Sequence, residues 1–83
     1  MEELNTGDVV YFTRILPNIA IFELFELKVC TVNKSGGWFI GYDTKTHVAF
    51  WFYDSEYNFI VFKDRKTAIN KINESIIKMK ENV

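Results

Sequence analysis

The spacing of apolar residues changes period once along this chain, between Phe62 and Asp64, and that change does most to limit the folds open to it. Before it, apolar and polar positions alternate in short runs broken by turn residues. That is the pattern of strands, whose side chains point to the two faces of a sheet in turn. After it, Ala68, Ile69, Ile72, Ile76 and Met79 recur at helical spacing, with lysine and asparagine between them. They describe one amphipathic helix packed by a narrow stripe. Asp64 stands where it can cap that helix and suits its positive end.

Five runs precede the switch: "GDVVYFTR" (7–14), "AIFELFELKVCTV" (20–32), "WFIGYD" (38–43), "VAFWFY" (48–53) and "FIVF" (59–62). The segments between them are rich in turn formers. "ILPNIA" holds the only proline, "NKSGG" supplies two glycines, "TKTH" reverses the chain, and "DSEYN" joins the last two runs as a hairpin. The second run mixes charge with apolar groups on both faces, so a bend or bulge is expected near Glu26. Gly41 reads as a bulge or a close backbone contact. The order is β-β-β-β-β-α, an α+β class that is mainly β. It predicts a small five-stranded antiparallel SH3-like barrel over about 7–62, or a curled meander, with one C-terminal helix over about 64–80. The last residues, "KENV", are expected to fray.

A chain of 83 residues suits a single domain, 1–83. A domain this small buries a modest fraction of its surface, so large apolar side chains carry its stability. With 48 % hydrophobic and 17 % aromatic residues, a core is attainable without metal or disulfide. The single cysteine, Cys30, has no partner for an internal disulfide and reads as a small buried or half-buried hydrophobe. The acidic start "MEELNTGD" lacks the apolar segment of a signal peptide, and no apolar run is long enough to span a bilayer. A cytoplasmic location and no membrane contact are the expectation.

The residues that carry catalysis are sparse. His47 is the only histidine and falls in a turn, where it reads as a surface residue. One histidine and one cysteine do not make a zinc site, and the acids are scattered without calcium-loop spacing. Glu23 and Glu26, three apart on a strand, face opposite sides and do not form a dyad. "GGWFIG" lacks the lysine and the strand–loop–helix setting of a phosphate loop. The reading is a non-enzymatic chain with no cofactor.

Binding is the function left. In 48–53, Val48, Phe50 and Phe52 point one way and Ala49, Trp51 and Tyr53 the other, with no polar residue on either face. Strand 38–43 repeats this, with Trp38, Ile40 and Tyr42 opposite Phe39 and Gly41. One face of each strand fills a core. The rings of the other face lie either beneath the helix or open to a partner, and tryptophan and tyrosine are enriched among binding anchors. The candidate protein-binding residues are therefore Trp38, Tyr42, Trp51 and Tyr53, with Glu23, Glu26 and Asp54 as rim charges. A single-stranded nucleic acid is the alternative ligand, since aromatic sheet faces can stack bases. Charge opposes it: residues 1–62 hold four basic groups against eight acidic, while residues 63–83 hold six against three. A homodimer formed through an exposed strand edge or the aromatic face is a third reading.

The two ends of the chain, "GDVVYF" and "FIVFKDRKTAINKI", resemble small proteins encoded by phages, plasmids and prophages of low-GC bacteria. The resemblance rests on Gly7, Asp8, Val10 and Tyr11, and on Val61, Phe62, Arg65, Lys66 and Ala68. It implies an accessory factor that acts by protein contact, of which an anti-CRISPR-like inhibitor of a host defence complex is the specific form. A local acidic patch from Glu23, Glu26, Asp43, Asp54 and Glu56 would suit such a role.

Overall fold

The computed structural model describes residues 3–81. Five strands form one antiparallel sheet: β1 (Val9–Leu16), β2 (Ile21–Asn33), β3 (Trp38–Asp43), β4 (Ala49–Tyr53) and β5 (Val61–Phe62). A single helix, α1 (Arg65–Glu81), follows. Short 3-10 turns at Pro17–Ile19 and Asp54–Glu56 lie between β1 and β2 and after β4. The spatial order is β4-β3-β2-β1-β5, so four strands meander and the fifth returns to the far side of β1. Of the fraying segment "KENV", Asn82 and Val83 lie outside the described residues.

The sheet curls without closing. In a flat sheet β1 and β4 would stand about 14 Å apart, three strand spacings. Yet the Phe12 ring of β1 lies 5.4 Å from Phe50 and 4.9 Å from Phe52, both on β4. The curl wraps these rings around a core of Leu4, Val10, Leu27, Val29, Phe39, Phe52, Tyr57 and Val61, with Phe12, Phe25, Val32, Phe50 and Ile60 packed against it.

Two features of β2 differ from the expected ones, for one reason. Leu27, Val29 and Val32 all face the core, and a spacing of three between the last two requires one extra residue. The register accordingly slips between Val29 and Thr31, so the bulge falls at Cys30 and not near Glu26. The bulge turns Cys30 outward. It is exposed, its thiol donating to the Ile40 carbonyl over 3.5 Å, rather than buried or half-buried.

The expected last hairpin is also different. The runs 48–53 and 59–62 do not pair. β5 instead pairs with β1 through Tyr11–Phe62 and Phe12–Val61. The 3-10 turn at Asp54–Glu56 and a left-handed Asn58 carry the chain across the open end of the curled sheet. There the Ile60 carbonyl accepts both the amide and the hydroxyl of Thr13, each at 2.8 Å.

Asp64 caps α1 as expected. Its carboxylate accepts the Thr67 amide at 3.0 Å and the Thr67 hydroxyl at 2.8 Å. The helix packs against β1, β2 and β5. Phe62 and Ala68 are buried outside the main core, and Ile69, Ile72, Ile76 and Met79 are half-buried along the predicted stripe.

Gly41 meets the core directly. A Cβ placed there would lie 3.2 Å from Leu27 Cβ. Gly41→Val should therefore overpack this contact and cost about 1–3 kcal/mol. Phe39→Ala, opening a void at a ring only 1 % exposed, should cost about 3–5 kcal/mol. Urea unfolding of both variants checks the order.

Candidate functional site

Alternation along β3 and β4 sorts their side chains cleanly. Phe39, Gly41 and Phe52 are buried, with Phe50 beside them, while Trp38, Ile40, Tyr42, Ala49, Trp51 and Tyr53 take the outer face. The register sets Trp38 across from Tyr53, Ile40 from Trp51 and Tyr42 from Ala49. The Trp51 ring lies 4.4 Å from Tyr53, edge to face, and 6.0 Å from Trp38. Trp51 is 47 % exposed and Tyr53 57 %, so these two rings are open to solvent and not beneath the helix. Trp38 and Tyr42 are half-buried at their flanks. β2 widens the face, with Asn33 beside Trp38, Thr31 beside Ile40 and Lys28 beside Tyr42.

Two turns hold the ends of this face. In the β2–β3 turn, Asn33 accepts the Gly36 amide through its side chain at 2.7 Å and the Gly37 amide through its carbonyl at 2.9 Å. Any Cβ on Gly36 would lie 2.7 Å from the Trp38 indole nitrogen, so only glycine lets the indole rest on the turn. In the β3–β4 turn, Asp43 Oδ1 accepts the Lys45 amide at 2.7 Å and the Thr46 amide at 3.1 Å. These two backbone donors hold the Asp43 carboxyl below the usual aspartate range. The same turn places His47 in the left-handed region, φ 63°, with its ring stacked 6.2 Å from Tyr42. His47 is exposed, as its turn position predicted.

The three candidate rim acids are placed differently. Asp54 directly follows Tyr53, and its amide donates to the Gly37 carbonyl at 2.9 Å. Glu26 accepts the Thr44 hydroxyl at 3.0 Å, at the other end of the face. Glu23 lies 3.9 Å from Arg14 in the β1–β2 hairpin. It is ten residues along β2 from Asn33, the partner of Trp38, which is about 33 Å of strand. The fold thus gathers the four aromatic candidates with Asp54 and Glu26 and holds Glu23 apart. Glu56, expected only as part of a local acidic patch, enters the candidate site as a backbone cap. Its carboxylate accepts the outward amide of Tyr53 at 2.9 Å. An acid three residues past a strand, inside a turn signal, was the only sequence trace of this cap. Lys28 joins through strand pairing, which sequence spacing does not reveal.

Among the described residues no group of three or more His, Cys, Asp or Glu could hold a metal ion, and no helix is long and apolar enough to cross a membrane. What the face offers is ring area, one imidazole and one ammonium, which serve contact and stacking. Comparison with protein-family models, curated proteins and solved structures gave no match.

Asp43 ties the β3–β4 turn to pH. Its folded pKa is depressed, so its contribution is present above the unfolded aspartate value and is lost as pH falls through the folded one. Asp43→Ala should lower stability near neutral pH and flatten the acid limb of stability against pH. It should not abolish that limb, because the Asp64 cap is depressed by its bonds to Thr67 and acts with the same sign. Urea unfolding across the acid range, for both proteins, measures the difference.

Proposed function

We propose that this chain is a non-enzymatic protein-binding module whose contact surface is the outer face of β3 and β4. Trp38, Tyr42, Trp51 and Tyr53 are its anchors. The observation that carries this reading is the exposure of Trp51 and Tyr53 in mutual contact, while the helix packs on β1, β2 and β5. Exposed tryptophan and tyrosine in one rigid patch hold the area and the low side-chain entropy that binding anchors need. Asp54 and Glu26 at its ends suit a partner with an apolar centre and a basic rim. The resemblance of the chain's ends to mobile-element proteins makes a host or defence complex the first partner to try, with inhibition by contact as the mode.

Charge placement favours protein over nucleic acid. The cations of α1, from Arg65 to Lys80, belong to the element that packs on β1, β2 and β5. The stacking rings lie on β3 and β4. A single strand needs both along one path.

Pull-down from host cells, followed by titration with the purified partner, tests the reading. Trp51→Ala should keep the far-ultraviolet circular dichroism of the native sheet and weaken binding by roughly thirtyfold or more, the loss typical of a hot spot. A folded Trp51→Ala protein that retains full affinity overturns the anchor assignment. Tight binding of single-stranded DNA or RNA that falls steeply with salt overturns the protein-binding reading itself.

A further inference from the structure

We propose that the free edge of β4 pairs antiparallel with the same edge of a second copy, so that two sheets join into one across a two-fold axis. β4 is the terminal strand of the sheet. The bonding pattern of its ladder to β3 is fixed at its two ends: the Asp43 amide donates to the Val48 carbonyl at 2.8 Å, and the Asp54 amide to the Gly37 carbonyl at 2.9 Å. Antiparallel pairs alternate between bonded and unbonded, so Phe50 and Phe52 bond to β3 while Ala49, Trp51 and Tyr53 aim their amides at the free edge. The Tyr53 amide is already held by Glu56. The groups on offer are therefore the amides and carbonyls of Ala49 and Trp51.

That set is self-complementary. With the two-fold axis beside Phe50, Ala49 of one copy lies opposite Trp51 of the other, and four backbone hydrogen bonds form without disturbing the Glu56 cap. On the outer face each Trp51 then covers the smallest residue of the partner strand, Ala49, which is exposed. On the inner face the two half-buried Phe50 rings meet at the axis. The charges agree. Lys45 and His47 precede β4, and Asp54 and Glu56 follow it, so antiparallel pairing sets the basic end of each copy against the acidic end of the other. Apart from its short length and the Glu56 cap on Tyr53, the strand carries no device that keeps an edge free: no charge, no proline, no bulge. This inference uses the backbone edge of β4. It stands whether or not the outer rings bind another protein.

Sedimentation equilibrium of the full chain, from about 1 to 500 µM, should give a reversible monomer–dimer equilibrium. Ala49→Pro removes an outward amide without removing any bond to β3 and leaves all four rings in place. Ala49→Lys places a charged chain where the partner's Trp51 would lie. Both should remain folded by circular dichroism and weaken dimerisation at least tenfold. Lys45→Glu should weaken it as well, and Lys45→Glu with Asp54→Lys should restore it. In the native chain, hydrogen exchange at the Ala49 and Trp51 amides should slow as concentration rises, while Tyr53 stays constant. A chain that stays monomeric throughout, or a dimer indifferent to folded Ala49→Lys, overturns the proposal. So does an edge that pairs only with a strand of another protein. A folded Ala49→Pro protein that loses the dimer and still captures a partner protein would support the edge as a surface of its own, apart from the outer rings.

Discussion

The contact of Phe12 with Phe50 and Phe52 governs the rest of this structure. These rings sit on strands that a flat sheet would hold about 14 Å apart, so their meeting requires the sheet to curl. Once curled, one face of every strand turns toward a shared interior, and a chain this short obtains a core from a single sheet. The curl also brings the end of β4 within reach of β1, which lets the short link through Asp54–Glu56 and Asn58 deliver β5 to the opposite edge. Gly41 and the bulge at Cys30 serve the same end, one by yielding space to Leu27 and the other by returning Val32 to the interior.

Curling leaves a convex face that one helix must cover. The stripe of Ile69, Ile72, Ile76 and Met79 is narrow, and α1 spends it on β1, β2 and β5, where Phe62 and Ala68 become buried. The outer side of β3 and β4 receives no such cover, although it bears two tryptophans and two tyrosines. This exposed face, held between two hydrogen-bonded turns, is the surface proposed for binding. The terminal strand of that face also carries the free edge for which pairing with a second copy is proposed.

Much of this was legible from spacing. Alternation assigned Phe50 and Phe52 to one side and Trp51 and Tyr53 to the other, and the three-to-four spacing after Asp64 placed the helix and its cap, because both periods follow from local backbone geometry. The candidate site was legible as a set of four rings on one face. What escaped were relations between strands. The register that brings Lys28 beside Tyr42, the Glu56 cap on Tyr53, and the distance that removes Glu23 from the rings all depend on pairings between segments remote in sequence.

The amino-acid sequence by itself determined the strand and helix elements, their order and the two faces of β3 and β4, since these are consequences of dihedral preference and side-chain periodicity. Only the tertiary structure decided that β5 joins β1 instead of β4, that the extra residue of β2 falls at Cys30, and that α1 covers β1 and β2 and leaves Trp51 and Tyr53 exposed. Those outcomes are set by where the curled sheet closes on its core, and that is a property of all five strands together.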